Sequence, residues 1–237
     1  MIIFWRLVLA YYICAMFFYN RRFFAWRDRH TVWSLIVQAA GFAVVGGLLC
    51  FPYLSMNWEV ADCWPVPGWA ALGFCSVFYM VLNHLFVERP GQTKGRTAVF
   101  FIHDISVLLV LLICSPLYTL AQTGHWAAEA WSIFVIGILV VTRMFSIFVY
   151  LVEQDMYGRD FPTMDEKFVT MLMRLIFFLI VLLPGWRWLV WFVAWFWACL
   201  VARKNRLMDL SPFAFYFGIF GAAAVGFLVR WGWYFYR

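Results

Sequence analysis

Residues 98–121 read AVFFIHDISVLLVLLICSPLYTLA, a long apolar run whose one acid, Asp104, and one histidine, His103, stand side by side in its first half. About 20 mainly apolar residues suffice for a helix to cross a hydrocarbon core roughly 30 Å thick. The run therefore predicts a transmembrane helix. An ionisable side chain inside such a helix is costly, so Asp104 needs a partner or a purpose.

Seven further stretches of the same kind flank it, at about 2–19, 31–54, 68–87, 128–151, 168–184, 188–202 and 210–229. The expectation is an all-α, polytopic transmembrane helical bundle of about eight spans. The count falls to seven if residues 168–202 form one broken element around Pro184-Gly185-Trp186-Arg187. Residues 1–237 read as a single integral-membrane domain without a separate soluble one. The first apolar stretch has no basic segment ahead of it and no small-residue cleavage pattern after it, so it is expected to stay as a helix.

Composition agrees. Of 237 residues 66% are hydrophobic and only 13% charged, against about 25% charged in an ordinary soluble domain. That excludes a water-soluble fold, and a chain this apolar is not disordered. Its net charge of +6 reads as topology signal, since short cytoplasmic loops accumulate Lys and Arg. Most of the 18 basic residues fall in alternate loops: Arg21, Arg22, Arg27 and Arg29; Arg89, Lys94 and Arg96; Arg159 and Lys167; Arg203, Lys204 and Arg206. Both termini are then expected on the outer side, in a bacterial or organellar inner membrane. The expected partners are the lipid bilayer and other membrane subunits, with no nucleic acid, because no loop is long enough to be a basic domain. Tryptophans such as Trp5, Trp58, Trp64, Trp69, Trp126 and Trp231 cluster at outer span ends, where an indole can keep its N–H in water. Arg6, near such an end, is expected to snorkel.

Six cysteines occur without a CxxC pair, which disfavours cysteine-bound metal or haem. Cys50, Cys63 and Cys75 fall near the outer face, where one disulfide could form, although free core thiols are the plainer expectation. Small residues repeat every four positions as Ala39, Ala43 and Gly47 and as Gly218, Ala222 and Gly226. Each set shares a helix face that lets another backbone approach closely.

Four ionisable residues are placed in the inner half of the bilayer: Asp104, Arg143, Arg174 and His103. Asp104 and Arg174 sit about 9 Å, and Arg143 about 12 Å, inside the inner boundary. They predict either an interhelical salt bridge, Asp104 with Arg143 or Arg174, or an ion or proton path. His84 and Glu88 share a face near the inner end of the third span. With His103 they are the candidates for haem or metal, as paired axial histidines or, with His30 and Asp104 added, a metal centre. No HExxH or repeated histidine box supports that reading, so no cofactor is expected first, with haem or metal the alternative. The loop from Glu153 to Lys167 holds Glu153, Asp155, Asp160, Asp165 and Glu166, a candidate surface for docking a partner. Thr163 and Glu166 also have capping-box spacing.

Serine-hydrolase elbows, nucleotide-binding loops and potassium-filter sequences are missing from the chain. The functional expectation is a non-enzymatic integral membrane subunit of a larger complex. The alternatives are a small transporter or channel using Asp104, Arg143, Arg174 and His103, and a haem- or metal-dependent redox enzyme using His84 and His103.

Overall fold

The computed structural model describes residues 2–18, 26–27, 30–60, 64–86, 96–116, 129–157, 164–205 and 210–235. These are mainly helical. Among the described residues five helices are long and apolar enough to cross a membrane, Thr31–Tyr53, Gly68–Leu85, Thr97–Cys114, Ala130–Met156 and Pro212–Gly232, and Ile2–Phe18 and Phe168–Val181 are shorter apolar helices. This is the make-up of a membrane-embedded helical protein. The chain divides into two compact units, Met1–Ser132 and Ile133–Arg237.

In the first unit, α1 (Ile2–Phe18) packs on α2 (Thr31–Cys50), which ends in a 3-10 turn at Phe51–Tyr53. Helix α3 (Gly68–Leu85) packs on α2, and α4 (Arg96–Cys114) packs on α3 and α1. Helix α1 is central: Leu7, Val8, Leu9, Ala10 and Tyr11 are buried in succession, so every side of that turn meets protein. Where α1, α2 and α3 come together, a Cβ on Gly46 would lie 2.9 Å from Leu72. Gly46 is thus the close-approach residue of α2, while Ala39, Ala43 and Gly47 are half-buried beside it.

A hairpin that the sequence did not announce joins α2 to α3. Strand β1 (Asn57–Val60) pairs antiparallel with β2 (Trp64–Pro67), Trp58 opposite Val66 and Glu59 opposite Pro65. Two prolines in β2 hide it from a propensity reading, yet a two-stranded ribbon has free edges where a missing N–H costs nothing. Trp58 is wholly buried and donates its indole N–H to the Tyr53 carbonyl at 2.9 Å. It therefore plugs the hairpin rather than resting in the aqueous interface. Gly68 makes room, since a Cβ there would fall 2.6 Å from the indole nitrogen.

The second unit takes up a helix that starts in the last residues of the first. Helix α5 (Ala130–Leu139) passes through a π turn at Val140–Met144 into α6 (Phe145–Tyr157). Helices α7 (Met164–Val181), α8 (Arg187–Lys204) and α9 (Pro212–Phe235) follow. Val141, Met173, Phe177, Phe178, Phe215 and Ile219 form the centre of their core. Between α7 and α8 the chain turns at Gly185, whose φ of 67° lies in the left-handed region that glycine enters freely. Arg230 donates to the carbonyls of Val181 and Gly185, both at 3.2 Å, satisfying acceptors left open at the end of α7. Residues 168–202 are accordingly two helices and a turn.

The small-residue face of α9 has its partner within the unit. A Cβ on Gly226 would approach Val181 at 3.0 Å and the Phe178 carbonyl at 3.1 Å, and Ala222 is fully buried. Its neighbour is α7.

Candidate functional site

Two buried ionisable centres stand out, one in each unit. In the first, Phe100, His103, Val107, Leu111 and Cys114 are the buried residues of α4. Their spacing of three and four defines one helix face. His103 occupies a core position of that face and is 3% exposed. Its Nε2 lies 3.0 Å from Asn83 Oδ1 of α3. An amide oxygen only accepts, so Nε2 carries the proton and donates. Nδ1, on the other side of the ring, lies 3.7 Å from Asp104 Oδ1 and makes no hydrogen bond. Tyr11 of α1 donates its hydroxyl to the same carboxylate oxygen. Aromatic rings wall the group: Tyr79 stands edge-on to Tyr11 with centroids 5.9 Å apart, and Phe86 edge-on to His103 at 5.8 Å. Three helices thus bring a phenol, a carboxylate, an imidazole and an amide together in apolar surroundings.

In the second unit, Thr170, Met173, Arg174, Phe177, Phe178 and Val181 are buried on α7, again at helical spacing. Arg174 is 1% exposed. Its Nη1 donates to Ser146 Oγ at 3.0 Å. Ser146 in turn donates to the Thr142 carbonyl, and Thr142 to the Ile138 carbonyl, each at 2.6 Å. Hydroxyls that satisfy themselves four residues back along their own helix are thereby free to accept from a neighbour. Gly218 of α9 lies against the arginine stem, where a Cβ would be 2.8 Å from Nε. Arg143, half-buried, belongs to the π turn that precedes Ser146. Within the first unit Asp104 meets Tyr11 and His103, and within the second Arg174 meets Ser146.

The remaining predicted residues are dispersed. His84 is exposed, whereas His103 is buried against Asn83, so the two imidazoles have different surroundings. Glu88 and Asp160 lie outside the described residues, as do Cys63 and Thr163. Among the described residues no three His, Cys, Asp or Glu side chains converge as metal ligands do. Glu153 and Asp155 belong to α6 rather than to a loop, and Asp165 and Glu166 to the first turn of α7. Glu153 accepts from Ser211, whose oxygen also receives the Ala214 N–H at 2.9 Å and so caps α9 ahead of Pro212.

Sequence reasoning missed Tyr11, Asn83 and Ser146, and misread Arg6. Instead of snorkelling, Arg6 forms a two-pronged ion pair with Glu129, Nε to Oε2 at 2.9 Å and Nη2 to Oε1 at 2.6 Å, and donates to the Leu49 carbonyl. Its guanidinium lies over the Tyr53 ring at 5.0 Å. Glu129 stands directly ahead of α5, a position with no periodicity to flag it. The chain matches no protein-family model, no curated protein and no solved structure, so the functional reading rests on these centres and on the helix faces around them.

Proposed function

We propose that this chain is a non-enzymatic integral membrane subunit of a larger membrane complex, of the transport, secretion or energy-transducing kind. On this reading the five long apolar helices, joined by α1, α7 and α8, make eight spans with both termini on the outer side of a bacterial or organellar inner membrane. The loop charges support that orientation.

The observation that carries the proposal is the two-sidedness of α8. Phe192, Trp195, Phe196 and Cys199 face the core of the second unit. On the other side Val190, Trp191, Val193, Trp197 and Val201 are all exposed, a stripe running most of the helix length. A bilayer tolerates such a face against lipid, and large indoles in mid-helix also offer broad, rigid contact area to a neighbouring protein.

Photo-crosslinking in native membranes tests the idea. A photoreactive residue at Val193 is expected to capture a protein of one defined mass, whereas the same group at Phe192, facing inward, captures only this chain. Lipid adducts alone at Val193, together with a monomeric particle in mild detergent, would overturn the proposal.

A further inference from the structure

We propose that His103 and Asp104 form a buried proton-binding dyad that takes up one proton between Nδ1 and Oδ1, with Tyr11 and Asn83 setting its affinity. Asn83 Oδ1, 3.0 Å from Nε2, forces the ring proton of neutral His103 onto Nε2. Nδ1 is left with a lone pair, buried and without a hydrogen bond. It faces a carboxylate oxygen at 3.7 Å, beyond hydrogen-bond length. Two acceptors confronting each other in apolar surroundings are an unfilled position for one proton, and a proton placed there gives both an otherwise missing partner.

The surroundings favour a proton over a larger cation. Tyr11 donates to Oδ1 and occupies one direction of approach, Asn83 Oδ1 is taken by Nε2, and the Tyr79 and Phe86 rings close the sides. The charged and titratable groups on every packed element are few. Helix α1 presents Tyr11 and Tyr12, the latter within electrostatic reach of Asp104, while its Arg6 is committed to Glu129. Helix α3 contributes Tyr79 and, one residue beyond Asn83, the exposed His84. Helix α4 itself adds Arg96, eight residues away or about 12 Å along the axis, and β1 carries Glu59 at the hairpin end of the unit. Helix α2 brings no charged residue. Among the described side chains of this unit the carboxylate meets Tyr11 and His103, so a proton taken up at Nδ1 faces the negative charge directly.

This goes beyond the subunit proposal and is tested on the isolated chain, so either can fail without the other. The full-length protein in lipid nanodiscs, with its histidine nitrogens isotope-labelled, is titrated by nuclear magnetic resonance, and His103 is assigned from the signal lost in His103→Gln. The expected result is one Nδ1 signal that titrates while Nε2 stays protonated throughout. Asp104→Asn removes the anion and is expected to lower the proton affinity of His103 at least about tenfold. Tyr11→Phe removes the hydroxyl that stabilises the unprotonated carboxylate and is expected to shift it the opposite way, so that the test survives even if Asp104→Asn does not fold. A His103 signal that fails to titrate, that carries its proton on Nδ1 at high pH, or that is unmoved by Tyr11→Phe overturns the dyad.

Discussion

Asp104 with His103 in the first unit, and Arg174 in the second, are the same problem solved in two ways. Each sits at or beside the core positions of an apolar helix, where an uncompensated charge is costly. Arg174 keeps its charge at any ordinary pH, because a guanidinium does not give up its proton. A serine hydroxyl accepts from it, the Glu153 carboxylate lies within electrostatic reach, and a glycine on the facing helix yields space for its stem. Asp104 is surrounded instead by a phenol and an imidazole, groups that can themselves hold or release a proton. A buried polar side chain on a helix face therefore says only where a special position is. Its partners decide whether that position is a strut or a switch.

The largest expected effect breaks the strut. Gly218→Val places branched carbon where a Cβ alone would already lie 2.8 Å from Arg174 Nε, and forced overpacking of this kind costs about 3 kcal/mol. The destabilisation is measured as unfolding free energy in mixed micelles. Pairing it with Arg174→Met, whose side chain is flexible and uncharged, is expected to return about 1 kcal/mol or more of coupling. Strict additivity of the two substitutions would show that Gly218 does not make room for the guanidinium. A smaller loss, about 1–2 kcal/mol, is expected for Ser146→Ala, which leaves the buried guanidinium short of an acceptor. Because arginine does not titrate, that loss should stay flat across the pH range in which histidine does. A pronounced pH slope would mean that a titrating group shares the site.

Much of this was legible in advance, and the gaps have physical causes. Apolar run length marked the helices of both units, and the cost of burying charge singled out His103, Asp104 and Arg174. The Gly218, Ala222 and Gly226 repeat announced a close helix contact, which proves to be with α7. Partners were harder to read. Tyr11 and Asn83 lie 93 and 20 residues from the groups they bind, and a tyrosine or asparagine in an apolar run carries no periodicity that distinguishes it from its neighbours. Opposite charges draw attention to an Asp104–arginine pair, but no sequence signal marks Tyr11, which the first unit brings to the carboxylate beside His103. The β1–β2 hairpin stayed hidden because its prolines argue against strand wherever both edges are paired, and here they are not. Glu153 looked like loop because it begins a run of acids, but its helix continues through Tyr157 and its carboxylate meets Ser211.

The smallest expected effect is the most discriminating one, because its size changes with pH. Tyr11→Phe removes one hydroxyl from a fully buried ring and adds no bulk, so the packing against Tyr79 and His103 is kept. The hydrogen bond lost is worth about 1 kcal/mol in such surroundings, and more when its acceptor carries a full charge. Asp104 carries that charge in the unprotonated dyad and shares it with a proton in the loaded one. The penalty of Tyr11→Phe is therefore larger at high pH and smaller once the dyad has taken its proton. By linkage this is the same statement as a rise in proton affinity in the variant, since whatever destabilises the unprotonated form more must favour uptake. Ser146→Ala in the second unit supplies the reference line with no slope. If the penalties of the two variants, each taken against the unsubstituted protein, run parallel across pH, the phenol is only a packing residue and the contrast between the units disappears; if they diverge, with Tyr11→Phe losing more at high pH, the first unit holds a switch where the second holds a strut.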